Sequence, residues 1–246
     1  MMFSNREGIK RRIKLGGLFT LPIRARHVVR SAVASLDDEP AKPSERLLDI
    51  ALSAAAHARS VSMASVVSRM THPPYYPDVW PGEHYKLLAG LILAVRPRMV
   101  IEVGTSTGLS ALAMLTALPQ NSHLVTFDLI PWKNFEDTCL RDEDFTNSRI
   151  TQIIGDVCDP KVMSNHEELF QTADILFIDG PKDGVFEYAF LNRLEELQLK
   201  SSPLVVFDDI RLLNMLSLWR QIQKPKLDLT SFGHWTGTGL VEWTKE

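Results

Sequence analysis

The sequence is poor in cysteine and has no long apolar run, and both absences narrow the class of protein. Its 246 residues include only two cysteines, Cys139 and Cys158, whose spacing matches neither a disulfide framework nor a zinc site. No apolar run approaches the ~20 residues that a membrane-spanning helix needs. No apolar stretch ending in a small-residue cleavage site, as in a secretory signal peptide, lies near the start. We therefore expect a cytoplasmic protein.

The chain also lacks an overall excess of positive charge, since its formal net charge is −3. A molecule with this balance is not built as a whole to bind nucleic acid. The exception is the segment 1–30, which holds eight lysines and arginines against one acid, Glu7, with apolar residues between them. Such a segment could contact an anionic membrane surface or an acidic partner, pack against a second copy of the chain, or remain a solvated arm.

Changes in composition divide the chain into three predicted parts. A polar stretch broken by prolines ends the first part, a basic arm and linker over residues 1–44. The second part, 45–97, shows helical apolar periodicity and is predicted to be a helical extension or lid, with Ser44 capping its first helix. The third part, 98–246, is predicted to be the domain that binds a ligand. The helices of the second part are predicted at about 45–70 and 83–96.

Residues 98–246 alternate short apolar runs with helical stretches, which is typical of a parallel sheet with helices on both faces. Two further runs, joined by a segment containing glycines, predict an antiparallel hairpin that closes the sheet. The predicted fold is therefore α/β, with a doubly wound, mostly parallel sheet of seven strands. The strands are predicted near 99–103, 123–127, 149–154, 174–178, 203–207, 226–232 and 239–243, and the helices near 108–118, 163–171, 184–198 and 210–223.

The turn after the first of these strands lacks the third glycine of the dinucleotide-binding pattern G-x-G-x-x-G, because Leu109 stands at that position. Glu102, directly ahead of the turn, would repel a pyrophosphate and attract a cationic ligand. Asp128 ends the next strand, where a carboxylate can accept hydrogen bonds from both ribose hydroxyls. These features predict a positively charged adenosine derivative without phosphates, S-adenosylmethionine.

The motifs at the ends of the strands resemble those of class I S-adenosylmethionine-dependent methyltransferases. Within that class the chain is similar to the small-molecule O-methyltransferases related to catechol O-methyltransferase, over about residues 80–244. The resemblance implies methyl transfer to a hydroxyl of a small molecule or a glycan, on a Rossmann-like sheet whose seventh strand runs antiparallel to the others. The matching segments are 100–110, 125–128, 174–179 and 205–209.

The resemblance also implies a divalent cation held by the acids after the fourth and fifth strands, which are Asp179, Asp208 and Asp209 in this sequence. Three carboxylates at one edge of a sheet would repel each other without a cation, and oxygen-only ligands suit Mg²⁺. In that family a lysine that acts as the base follows the strand-four acid by three residues. Lys182 has this position.

The cofactor is expected along the carboxyl ends of the strands. Glu102 and the backbone at Gly104 would hold its methionine end, and Ser110, at the start of a helix, would bind its carboxylate. Asp128 would bind the ribose, and Asp156 either the adenine amino group or only its own turn. The complete predicted cofactor set is Glu102, Gly104, Thr105, Ser106, Gly108, Ser110, Asp128, Gly155, Asp156, Val157 and Asp179.

Three alternatives to this reading remain open. A methyltransferase without a metal could use His234 as its base, because an imidazole titrates near neutral pH. A nicotinamide-dependent reductase or a binding module without chemistry could use a related sheet.

The aromatic segment ahead of the second predicted helix could line a lid over the acceptor, or it could pack the N-terminal helices on the sheet. Its residues are Tyr75, Tyr76, Trp80 and His84.

Overall fold

The computed structural model describes residues 36–72, 76–81, 83–147, 149–199, 202–212 and 214–244. The basic segment 1–30 and Tyr75 lie outside the described residues, so the membrane, partner and self-association hypotheses for that segment stay predictions. The chain divides into two units after Glu39, and the elements below belong to the second unit, Pro40–Glu246.

Seven strands form one sheet in the order β3-β2-β1-β4-β5-β7-β6. Neighbours among β1 to β5 are parallel, whereas β7 is antiparallel to both β5 and β6 and lies between them. This confirms the predicted mostly parallel, seven-stranded α/β fold with an antiparallel C-terminal hairpin. The strands are β1 (Met99–Val103), β2 (His123–Asp128), β3 (Ile150–Ile154), β4 (Ile175–Ile178), β5 (Leu204–Asp208), β6 (Lys226–Asp228) and β7 (Thr238–Glu242).

Helices cover both faces of the sheet, because the strands are apolar on both sides. Val100 belongs to the core beneath α1, α3 and α4, whereas the next residue, Ile101, belongs to the core beneath α5 to α8. No helix in the described ranges has the length and apolar character needed to cross a bilayer. The helices are α1 (Glu45–Ala58), α2 (Ala64–Val67), α3 (Tyr85–Val95), α4 (Leu109–Ala117), α5 (Pro160–Asn165), α6 (Glu167–Thr172), α7 (Phe186–Glu196) and α8 (Met215–Gln221).

Most differences from the predicted elements lie at turns that side chains stabilise. The predicted helix 163–171 is two short helices and begins earlier, because Asp159 caps α5 by accepting from the Lys161 N–H at 2.8 Å. The predicted strand 226–232 ends at Asp228, which accepts from the Thr230 N–H at 2.9 Å and turns the chain. The predicted helix 45–70 is likewise interrupted between α1 and α2.

Ser44 caps α1 as predicted, accepting a hydrogen bond from the Leu47 N–H at 3.1 Å. The same hydroxyl donates to Glu242 at the end of β7, and Arg46 forms an ion pair with that carboxylate at 2.6 Å. These contacts connect the start of α1 directly to the end of β7.

Candidate functional site

The turn after β1 passes so close to the end of β4 that only glycine fits at its first position. Gly104 has φ 102°, and a Cβ there would lie 2.2 Å from the backbone oxygen of Asp179. Ser106 also has positive φ, at 45°, and its N–H donates to Asp128 at 2.8 Å. The turn is therefore held against the ends of both neighbouring strands.

A cleft of about 330 Å³ opens beside this turn along the carboxyl ends of the parallel strands. Leu129 and Phe186 contribute apolar walls, and Asp128 contributes a carboxylate whose other oxygen accepts from the Ile130 N–H at 3.0 Å. Much of the predicted cofactor set lies on its lining. These residues are Gly104, Ser106, Asp128, Gly155, Asp156, Val157 and Asp179.

The other four predicted cofactor residues are not on the cleft lining: Glu102 lies in β1, Thr105 and Gly108 lie in the turn, and Ser110 lies in α4. The Ser110 hydroxyl donates to Glu102 at 2.6 Å, and the Thr105 hydroxyl contacts that of Thr126 at 2.7 Å. Gly108 leaves room for Leu140. These residues support the turn, and the predicted direct contact of Glu102 and Ser110 with the cofactor does not follow from this geometry.

Glu102 is completely buried, and its second carboxylate oxygen has no hydrogen-bond partner among the described residues. Burial raises the pKa of Glu102 to about 8, although the hydrogen bond from Ser110 opposes the shift. The acid ahead of the turn is therefore neutral or only partly ionised at pH 7 when the cleft holds no cation.

The predicted metal ligands Asp179, Asp208 and Asp209 lie together, and the ammonium group of Lys182 lies between them. Lys182 Nζ contacts Asp179 Oδ1 directly, and it is 3.6 Å from Asp208 Oδ2 and 3.5 Å from Asp209 Oδ2. The lysine is only 7% exposed. Burial opposes its charge, but Asp179 and Asp208 outweigh this and raise the pKa of Lys182. The cation that these carboxylates require is thus supplied by the chain itself.

The loop that carries Lys182 is fixed by a buried acid of α7. Glu187 accepts hydrogen bonds from the Lys182 N–H at 2.8 Å and from the Gly184 N–H at 3.0 Å. Lys182 has φ 61° and Asp209 has φ 58°, a conformation that costs non-glycine residues of order 1–3 kcal/mol. Both strained residues belong to the acidic cluster. Backbone strain of this kind is often found at functional sites.

Two histidines lie against the other oxygens of the same carboxylates. Nδ1 of His84 is 3.1 Å from Asp208 Oδ1, and Nδ1 of His234 is 3.7 Å from that atom and 3.1 Å from Asp209 Oδ1. The second ring nitrogen of His234 pairs with Glu83. Sequence reasoning missed Glu83, because only the packing of α3 on the sheet brings its start to this site.

His234 is not available as a base in this arrangement. Burial disfavours its charge, but hydrogen bonds to Asp209 and Glu83 prevail and raise the pKa of His234 to about 10. The ring therefore carries its proton at neutral pH and cannot accept another.

The aromatic segment ahead of α3 is divided between packing and surface. His84 is 4% exposed and packs on the Phe177 ring of β4, with ring centroids 5.6 Å apart. Tyr76 is exposed. On the loop before β7, Trp235 is 75% exposed next to His234 and presents a flat apolar surface beside the charged cluster.

A larger cavity, of about 740 Å³, lies between α7 and α8 and contains none of the predicted site residues. The cleft beside Gly104 is therefore the better candidate for the cofactor site, because the turn, the strand ends and the acids converge there.

Comparison with known proteins agrees with the fold. Residues 101–210 match the family model of a methyltransferase domain, and no curated protein matches the chain. A methyltransferase from Geobacter sulfurreducens is 19% identical with a TM-score of 0.50, covering 65% of this chain and 78% of that one. A candidate caffeoyl-CoA O-methyltransferase from Staphylococcus aureus is 17% identical with a TM-score of 0.51, covering 80% and 100%. A protein from Corynebacterium glutamicum is 16% identical with a TM-score of 0.52, covering 76% and 94%. At these identities the solved structures support the fold alone.

Proposed function

We propose that the chain is a class I S-adenosylmethionine-dependent methyltransferase, because its residues 101–210 match the family model of a methyltransferase domain, and that it methylates a hydroxyl oxygen of a small molecule or a sugar. The observation that carries the proposal is the position of Asp179. Its carboxylate lines the cofactor cleft and also pairs with the buried ammonium group of Lys182. The cleft thus ends at a carboxylate, Asp179, that can accept a proton, next to a cation, Lys182, that can stabilise an oxyanion.

The lining of the cleft supports S-adenosylmethionine over a dinucleotide. Asp128 presents a carboxylate where the ribose hydroxyls would lie, and Asp156 lies near the predicted adenine end. Carboxylates and few cations suit a sulfonium nucleoside, whereas a pyrophosphate would be repelled. This feature disfavours the nicotinamide-dependent reductase.

The methyl group of a sulfonium is already activated, so the enzyme must align an oxygen behind it and remove that oxygen's proton. In the proposed step the acceptor oxygen forms a bond to the methyl carbon, the carbon–sulfur bond breaks, and S-adenosylhomocysteine leaves. The hydroxyl proton passes to Asp179, whose pKa burial and the nearby Asp208 raise, which makes it a better proton acceptor.

Lys182 then stabilises the negative charge that develops on the acceptor oxygen. This role replaces the predicted role as a base, because an ammonium group held by three carboxylates has no free electron pair to accept a proton. A fixed cation in a site closed to water is among the stronger means of stabilising a transition state.

The predicted Mg²⁺ would need the oxygens that surround Lys182. The donors have the right chemistry for Mg²⁺, since all are carboxylates. However, the ammonium lies within 3.6 Å of all three acids and occupies the position between them. With Lys182 there, this set does not fit a Mg²⁺ ion, and we derive no step of the reaction from one.

The proposal is tested with Lys182→Met, a variant that removes the charge and keeps most of the side-chain volume. We expect S-adenosylmethionine affinity, measured by calorimetry, to change little, because Lys182 is not on the cleft lining. Release of S-adenosylhomocysteine with a panel of phenol, sugar and polyketide hydroxyl acceptors should fall roughly 100-fold or more.

Lys161→Met is the matched control, since Lys161 is an exposed lysine of α5 away from the site. Full turnover by Lys182→Met would refute the catalytic role. Binding of NADH by the wild-type protein, without heat from S-adenosylmethionine, would refute the cofactor and favour the reductase.

A further inference from the structure

The direction of the Lys182 side chain depends on an unusual backbone conformation. Lys182 has φ 61°, in the left-handed region that residues with a Cβ rarely adopt. If this residue moved to the ordinary region of negative φ, its Cα–Cβ bond would point elsewhere. The ammonium group would then leave Asp179, which it contacts directly. The position of the cation therefore requires a contact that holds the backbone at Lys182.

Glu187, in the first turn of α7, provides this contact. Its side chain is completely buried, and both carboxylate oxygens accept from the backbone of the loop. Oε1 accepts from the Lys182 N–H at 2.8 Å, and Oε2 accepts from the Gly184 N–H at 3.0 Å. Hydrogen bonds from N–H groups to a carboxylate are stronger than those between neutral groups. Because burial of a carboxylate costs free energy, these bonds largely offset that cost, and their main effect is on the conformation of the loop.

The requirements of the helix explain only one of these two oxygens. Asp183 already stabilises the start of α7, since its Oδ1 accepts from the N–H groups two and three residues later, at 2.7 and 2.9 Å. The bond from Gly184 to Glu187 spans three residues, as is common for an acid in the first turn of a helix. The bond from Lys182 spans five residues and satisfies no group of the helix. This second bond serves the lysine.

The wall of the cofactor cleft next to Glu187 is held by other contacts. Phe186 lines the cleft, its N–H donates to Asp183, and its ring stacks on Phe190 with centroids 6.1 Å apart. None of these contacts uses the Glu187 carboxylate. A change of that carboxylate should therefore affect Lys182 and leave the cleft wall in place.

We propose that Glu187 is a positioning residue for methyl transfer, which holds the backbone of Lys182 so that its ammonium group lies among the three carboxylates around it. The inference rests on the proposed function, in which Lys182 stabilises the charge on the acceptor oxygen. Glu187 is not on the cleft lining and acts only through the loop.

The first test is Glu187→Gln, which keeps the shape and one acceptor oxygen but turns an NH₂ group toward a backbone N–H. Release of S-adenosylhomocysteine should fall roughly tenfold or more, because the cation is misplaced. Affinity for S-adenosylmethionine in calorimetry should stay within about twofold. In a Lys182→Met background the same substitution should cost no more than about twofold in turnover, since no cation remains to be positioned. Glu196→Gln, at an exposed acid of the same helix, is the matched control.

The second test needs neither cofactor nor acceptor. Limiting acetic anhydride with peptide mass spectrometry compares the acetylation rate of Lys182 with that of Lys161, an exposed lysine of α5. Only an unprotonated, accessible amine reacts, so burial and ion pairs protect Lys182 in the wild type. Glu187→Gln should raise the relative rate at Lys182 severalfold, whereas Glu196→Gln should leave it unchanged.

Three results would overturn the proposal. They are turnover of Glu187→Gln within about twofold of the wild type, an equal loss in the wild-type and Lys182→Met backgrounds, or unchanged acetylation of Lys182. If Glu187→Gln does not fold, hydrogen exchange of the wild type decides. The Lys182 amide should then exchange as slowly as the amides of β4, and exchange at the rate of an unbonded loop amide refutes the contact. Absence of methyl transfer by the wild type would count against the proposed function alone, because acetylation and exchange still measure how Lys182 is held.

Discussion

Replacing Glu102 by glutamine should change the pH dependence of stability in a direction that is unusual for an acid. Burial raises the pKa of Glu102 from 4.5 to about 8 in the folded protein. Between these values the unfolded chain loses the proton while the folded chain keeps it, so the folded state binds more protons. Stability therefore falls as the pH rises through this range, and the loss is complete only above the folded pKa.

The size of the effect follows from the shift. From pH 5 to pH 7.5 the wild-type protein should lose about 3 kcal/mol through this group, at about 1.4 kcal/mol for each pH unit. Glutamine has the same shape, and its oxygen can still accept from Ser110, but it does not ionise. We expect Glu102→Gln to gain about 3 kcal/mol relative to the wild type over that range, measured by urea unfolding at several pH values.

Glu242→Gln is the matched control, because its shift has the opposite sign. Burial would raise the pKa of Glu242, but hydrogen bonds from Ser44 and Arg46 prevail and lower it. Its stabilisation is therefore present at neutral pH and is lost as the pH falls through the folded pKa, so the deficit of this variant should shrink in acid. If the difference in unfolding free energy between Glu102→Gln and the wild type does not change with pH, the Glu102 carboxyl is already ionised in the folded protein. Our account of the turn would then be wrong.

Two further substitutions test the frame around the cleft. Gly104→Ala places a Cβ 2.2 Å from the backbone oxygen of Asp179, at a residue with φ 102°. The substitution should cost at least ~2 kcal/mol of stability and abolish S-adenosylmethionine binding in calorimetry. Normal binding would contradict the close approach of the two strands' ends. Arg69→Ala removes a bidentate ion pair with Asp144, at 2.6 and 2.9 Å, and a hydrogen bond to the Cys139 carbonyl. It should lower the free energy of unfolding by about 2 kcal/mol, measured with heat or urea, and leave cofactor affinity unchanged. Weakened cofactor binding would show that this ion pair shapes the site.

The fold was predictable because its strands are short apolar runs between turn signals. Val100 and Ile101 are buried on opposite faces, so β1 reads as a continuous apolar segment and not as an alternating one. Boundaries were less accurate where one side chain decides them, as at Asp159 and Asp228. Those side-chain hydrogen bonds to the backbone are local, but a short polar side chain can form several such bonds. The sequence therefore does not show which one will end or begin an element.

The acids of the site were predictable for a topological reason. Asp128, Asp179 and Asp208 end parallel strands, and such ends meet at one edge of the sheet. The occupant of the acidic cluster was not predictable, because spacing brings Lys182 near Asp179 without fixing the position of its flexible side chain. Glu83 was not predicted, and His84 was predicted only as a lid or packing residue, because tertiary packing of α3 and no local motif brings them to the carboxylates.

The place of β7 in the sheet has a consequence for synthesis of the protein. This strand is hydrogen-bonded on both sides, to β5 and to β6, although it is the last of the seven strands of the sheet to be made. A nascent chain that stops before Thr238 leaves the backbone of β5 open at an edge, where it can pair with another molecule. The order of translation therefore makes truncated products prone to aggregate, and only a ribosome that has passed Glu242 releases a chain able to close its own sheet.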